Sequence, residues 1–116
     1  MKTISILGST GSIGCNTLKV VEHFQNIRVV AMAAGRNMPK FAEQIAAFKP
    51  ELVSCSDEEC ATELEQELNR LKTPVPRIET GDSGLVAVST HEQAEIVVSA
   101  TVGAVGFVPT LRAIEA

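Results

Sequence analysis

The chain has 116 residues, a formal net charge of −4 and 45% hydrophobic residues. That length fits one domain that buries roughly two-thirds of the surface its unfolded chain exposes. The acidic balance excludes a basic nucleic-acid footprint, and four Phe with no Trp or Tyr leave little for base stacking.

No run reaches the ~18 apolar residues of a membrane span, and Lys2 leads directly into a strand pattern, so neither a membrane helix nor a secretory leader is expected. Cys15, Cys55 and Cys60 are odd in number and lack C-x-x-C spacing. Free thiols in a reducing cytoplasm are the expected state.

In chain order, residues 3–7 read as a buried strand, and roughly 12–24 as an amphipathic helix. Ile13, Thr17, Leu18, Val21 and Phe24 make its inward face. Residues 27–34 form an apolar run without polar alternation, as a parallel strand covered on both faces requires. Gly35-Arg36-Asn37 breaks it. Asn37 is placed to cap a helix beginning near Pro39, with Phe41, Ile45 and Phe48 buried, and Lys49-Pro50 ends that helix.

Residues 52–55 make a third strand, and Ser56 or Asp57 caps a helix running to about Leu71, with Leu64, Leu68 and Leu71 inward. Its carboxylates Glu58, Glu59, Glu63, Glu65 and Glu67 read as a solvated face. A short strand over 74–79, a brief helix from Asp82 or Ser83 to Val88 and a strong strand over 95–101 follow. Gly103 and Gly106 then open a helix carrying Val108, Leu111 and Ile114, still running at Ala116. The expected fold is therefore α/β: a Rossmann-like doubly wound parallel sheet with helices on both faces. The unfinished last helix suggests that 1–116 is the amino-terminal piece of a longer protein.

The chemistry is carried by loops at the carboxyl ends of the strands, where such sheets bind ligands. Gly8, Gly11 and Gly14 stand in G-x-x-G-x-x-G spacing between the first strand and helix. This arrangement lets backbone N–H groups of Gly11, Ser12 and Ile13 approach a dinucleotide pyrophosphate, with the Thr10 and Ser12 hydroxyls as further donors. The loop at residues 101–103 bounds the other side of the crevice.

The loop after the second strand selects the dinucleotide. An NAD site places an acid about 20 residues beyond the glycines, to accept from the ribose 2′-OH. Here the residues are Ala34-Gly35-Arg36-Asn37. Arg36 offers a cationic fork to a 2′-phosphate and Gly35 a close backbone approach, which favours NADPH; the alternative is a solvated surface arginine. His23 and His91 lack a nucleophile or metal-ligand partner in the sequence, and Cys15 reads as a small helix-packing residue. No catalytic or metal-ligating residue is assigned.

The run Ile6-Leu7-Gly8-Ser9-Thr10-Gly11-Ser12-Ile13-Gly14 resembles the start of the 1-deoxy-D-xylulose 5-phosphate reductoisomerase family. So do Arg28-Val29-Val30-Ala31, Ala33-Ala34-Gly35-Arg36-Asn37 and Ala100-Thr101-Val102-Gly103-Ala104-Val105-Gly106 before Pro109-Thr110-Leu111. The resemblance implies NADPH held by Thr10, Gly11, Ser12 and Ile13, with Gly35, Arg36 and Asn37 at the 2′-phosphate and residues 100–102 lining the floor. It also implies Mg²⁺ or Mn²⁺ in the parent enzyme, held by ligands outside this chain. The parent would be a cytoplasmic homodimer that rearranges and reduces a phosphorylated ketose to 2-C-methyl-D-erythritol 4-phosphate for isoprenoid biosynthesis. This chain alone would be inactive, because the family's Asn-Lys-Glu segment and acidic metal ligands lie beyond it. Aspartate-semialdehyde dehydrogenase and dihydrodipicolinate reductase use similar first loops and remain alternatives, as does a non-catalytic NADP(H)-sensing module.

Overall fold

The computed structural model describes residues 2–24 and 26–99, apart from the side chains of Ser12, Ile13 and Ser99. Strand and helix alternate throughout: β1 (Lys2–Leu7), α1 (Ser12–His23), β2 (Ile27–Ala33), α2 (Met38–Phe48), β3 (Leu52–Cys55), α3 (Glu58–Arg70), β4 (Arg77–Thr80), α4 (Gly81–Ser89) and β5 (Ile96–Ser99). The strands form one parallel sheet in the order β4-β3-β2-β1-β5. The first three crossovers step outward from β1, and α4 carries the chain back to β1's other side. The strand order therefore reverses between β1 and β5, which opens a crevice beyond their carboxyl ends.

Both faces are covered, as the unalternating apolar strands require. Ile4 and Ile6 of β1, Val29 and Met32 of β2 and Val53 of β3 pack with Leu18 and Val21 of α1, Phe41 and Ile45 of α2, and Leu64 and Leu68 of α3. Leu7, Ala31, Ala33 and Leu52 pack on the opposite face with Val88 of α4. Register explains the odd spacing of Val29 and Met32. Ile4 pairs with Val29 but Ser5 pairs with Ala31, so Val30 is an extra residue and the alternation restarts beyond it. Fully burying a large apolar side chain contributes about 1.5–3 kcal/mol, so the three-helix face carries most of the hydrophobic stabilisation.

The helix starts follow their capping residues. Asn37 Oδ1 accepts the Lys40 N–H at 3.4 Å, with Pro39 in the first turn of α2. Asp57, not Ser56, caps α3, its Oδ1 accepting the Cys60 N–H at 2.9 Å. Neither Asp82 nor Ser83 caps α4, which begins at Gly81 directly after β4, and the Ser83 hydroxyl donates back to the Thr80 carbonyl.

Further expectations need correction. Phe24 is not part of an inward helical face: α1 ends at His23, Phe24 adopts extended geometry as its C-cap, and its side chain is 52% exposed. The fourth strand begins at Arg77 instead of Pro74, because Pro74 and Pro76 have no N–H to give a ladder. Of the acidic face, Glu58, Glu59, Glu63 and Glu65 are exposed, while Glu67 is partly covered and bonds Arg70 at 2.8 Å. The expected helix beyond Gly103, and the 100–101 end of the last strand, lie outside the described residues.

Candidate functional site

The Gly-rich loop leaves β1 through Gly8, whose φ of 83° suits glycine. The Gly8 and Ser9 N–H groups both donate to the Ala33 carbonyl, at 2.8 and 3.0 Å, and so bind the loop to the end of β2. Gly14 is where α1 rides over this loop. A Cβ built there would fall 2.7 Å from Ser9 Cα and closer still to the Gly8 carbonyl oxygen, so no larger residue fits without moving the helix.

The helical ladder begins with the Cys15 N–H on the Gly11 carbonyl at 2.9 Å. The N–H groups of Ser12, Ile13 and Gly14 therefore stand in the first turn, without an acceptor inside the helix. Gly11 differs from expectation: its N–H donates to the Gly8 carbonyl at 3.2 Å and closes the turn. Thr10 takes up the outward role, since no acceptor among the described residues receives its N–H. The expected part of the Ser12 hydroxyl falls on a side chain outside the description.

The second loop lies at the same end of the sheet. The Ala34 N–H donates to the Ser54 carbonyl at 2.9 Å and the Ser56 N–H to the Gly35 carbonyl at 3.3 Å, which pins the loop to β3. Gly35, Arg36 and Asn37 are exposed. Asn37 spends its side-chain oxygen on the cap of α2. Arg36 is not a free surface cation: Nη2 lies 3.0 Å from Asp57 Oδ2, and Nη1 is 3.9 Å from Cys60 Sγ. The Cys60 N–H first, then the Cys60 thiol and the Arg36 guanidinium, hold the Asp57 carboxyl below its usual range.

Between the two loops is a cavity of about 300 Å³, lined by Gly8, Ala33, Ala34, Gly35, Cys55, Ser56, Gly81, Asp82 and Leu85. Its volume is at the low end for small-molecule sites. Its walls come from the carboxyl ends of β1, β2 and β3 and the start of α4. Asp57, and the α4 residues Gly81, Asp82 and Leu85, are not expected at this site from the sequence. Asp57 had shown only as a candidate cap, and nothing local marks α4 as a neighbour of the first loop. The segment at 101–103, expected across the crevice, lies outside the described residues.

His91 Nε2 lies 3.5 Å from Glu51, which also pairs with Arg28 at 3.5 Å near the amino ends of β2 and β3. All three cysteines are free. Burial, with Cys60 and Asp57 nearby, pushes the Cys55 thiol up to about 11, and burial followed by Asp57 raises Cys60. Among the described residues, no group of three or more His, Cys, Asp or Glu side chains is placed to hold a metal ion. No helix of these residues is long and apolar enough to cross a membrane.

A family model for 1-deoxy-D-xylulose 5-phosphate reductoisomerase matches residues 4–116. The chain belongs to this reductoisomerase family. The family's enzyme from Desulforamulus reducens is 54% identical over 117 residues, and that from Lachnospira eligens 47% over 116. Each alignment covers all of this chain and 30% of the relative, so the chain spans about a third of the relatives' length. A crystal structure of the reductoisomerase with NADPH, fosmidomycin and magnesium superimposes with a TM-score of 0.87 at 30% identity, covering 97% of this chain and 28% of that one. The Zymomonas mobilis enzyme in complex with NADPH gives 0.84 at 27% identity, over 97% of this chain and 29% of that one. The family match and these neighbours bear out the expected fold and the expected family. Neither the semialdehyde dehydrogenase nor the dihydrodipicolinate reductase reading is the family matched.

Proposed function

We propose that residues 1–116 form the NADPH-binding domain of an enzyme that converts 1-deoxy-D-xylulose 5-phosphate to 2-C-methyl-D-erythritol 4-phosphate. The observation that carries this is the meeting of two loops at one end of the sheet. The Gly-rich loop presents unpaired N–H groups at the start of α1, and Gly35-Arg36-Asn37 flanks a cavity with no carboxylate closing β2. Thr10, Ser12 and Ile13 would hold the pyrophosphate through backbone N–H groups, with Gly11 shaping the turn. Gly35 would let the adenosine ribose approach. Arg36 would bind its 2′-phosphate while keeping Asp57, since a guanidinium has five donors to share. Asn37 holds the start of α2 in place beside them.

Bound NADPH supplies a hydride; this chain's part is to bind and orient it. The Mg²⁺ or Mn²⁺ of the family reaction is assigned to ligands outside this chain. On this reading the chain alone binds cofactor without turning over the ketose phosphate, and the whole enzyme acts as a cytoplasmic homodimer. Free thiols throughout the described residues support the reducing compartment.

Calorimetric titration with NADPH and, separately, NADH tests the assignment. NADPH should bind with clear preference, and Arg36→Asp should weaken it by about 10–100-fold while leaving NADH nearly unchanged, as loss of a charged hydrogen bond implies. Unchanged NADPH affinity and an unchanged preference over NADH in the variant would remove Arg36 from the site. Metal-dependent NADPH oxidation by this chain with the ketose phosphate would overturn its inactivity.

A further inference from the structure

We propose that Gln44, on α2, is a positioning residue for the Gly-rich loop: its side-chain amide tethers the Ser9 carbonyl and so aims the Thr10 N–H at the bound pyrophosphate. The proposal rests on the reading of that loop as the pyrophosphate site. Gln44 Nε2 donates to the Ser9 carbonyl at 2.8 Å, across 35 residues of sequence. The Cys15 thiol approaches the same oxygen at 3.7 Å and receives Gln44 Nε2 at 3.6 Å. Ser9 is fully buried, and its own N–H is taken by the Ala33 carbonyl. One residue of the loop is thus held from β2 through its donor and from α2 through its acceptor.

The consequence follows from peptide geometry. In a trans peptide the carbonyl of Ser9 and the N–H of Thr10 point in opposite directions across one plane. Drawing the carbonyl inward to α2 turns the N–H outward, and among the described residues it has no acceptor. The amide's orientation is settled by the same contact. Gln44 Oε1 is buried without a partner, yet exchanging it with the nitrogen would set two carbonyl oxygens against each other. The tether to Ser9 therefore dictates how the side chain sits.

The test uses the 116-residue chain with Gln44→Met, which keeps length but has no donor, and Gln44→His at pH 8, whose neutral imidazole N–H restores one. NADPH and adenosine 2′-phosphate affinities are measured by calorimetry, and amide order parameters of residues 8–12 by NMR without ligand. Gln44→Met should weaken NADPH by about 3–10-fold. It should leave adenosine 2′-phosphate, which has no pyrophosphate, within about twofold. It should also lower the order of the loop, and Gln44→His should recover most of the loss. Wild-type NADPH affinity and loop order in Gln44→Met would overturn the proposal, as would parallel weakening of both ligands. If saturating NADPH leaves the wild-type Thr10 and Ser12 amide resonances unmoved, the pyrophosphate reading fails and with it the aim of the N–H. The ligand-free order parameters then decide the tether alone, lowered order supporting it and unchanged order overturning it.

Discussion

At Gly14 the constraint is a single hydrogen atom's worth of space. Gly14→Ala must displace either α1 or the backbone of Gly8 and Ser9, since the added methyl falls on main-chain atoms that cannot rotate away. Overpacking of this kind costs about 1–3 kcal/mol. A urea titration should show that loss, and NADPH binding should fall with it because the helix N-terminus no longer sits over the loop. The cysteines offer a second residue-scale expectation. Cys15 is partly exposed beside the groove between α1 and α2, whereas Cys55 and Cys60 are buried. Alkylation at pH 8 followed by mass spectrometry should modify Cys15 first. Cys55, with its thiol raised from 9.0 to about 11, remains protonated there. A folded value above the unfolded one favours the folded state fully below pH 9, and that contribution is lost as pH rises towards 11. Cys55→Ala should accordingly flatten the alkaline limb of the stability profile.

At the scale of elements, α3 is positioned by one carboxylate with two duties. Asp57 caps the helix through the Cys60 N–H and holds Arg36 at the mouth of the cavity. Asp57→Asn keeps a capping acceptor and drops the ion pair, while Asp57→Ala loses both. Thermal melts at neutral pH should therefore rank wild type above Asp57→Asn, and that above Asp57→Ala. The carboxyl is depressed in the folded state, so its contribution is present above the ordinary carboxylate range and fades as pH falls through the lowered folded value. The gap between wild type and Asp57→Ala should close on acidification, and a gap that persisted undiminished into strong acid would mean that the protonated side chain holds the helix as well as the carboxylate does. Caps and breakers of this kind are legible locally: Asn37 and Pro39 announced α2, and Lys49-Pro50 its end. Pro74 and Pro76 were read as strand when their missing donors exclude them. Phe24 fitted the helical period one residue after the helix had stopped.

For the whole molecule, the three helices on one face carry the larger core, and Phe41 is its largest fully buried side chain. Phe41→Ala should cost about 3–5 kcal/mol, a large share of the ~5–15 kcal/mol typical of a domain. Urea denaturation should show it clearly. A loss under about 1 kcal/mol would mean that the core had collapsed around the gap.

What the sequence by itself determined is everything governed by neighbours along the chain: the alternation of strand and helix, the Gly-rich turn between β1 and α1, and the absence of an acid after β2. Period, capping and steric permission act over a few residues, so they can be read from a few residues. Only the tertiary structure decided the strand order β4-β3-β2-β1-β5, and with it which loops meet. That order brings Asp57 to Arg36, Gln44 to the Ser9 carbonyl and the start of α4 to the cavity between the loops. Such pairs join residues on separate crossovers, and no local preference encodes them. They exist because burying both faces of one parallel sheet leaves few ways to stack its connections.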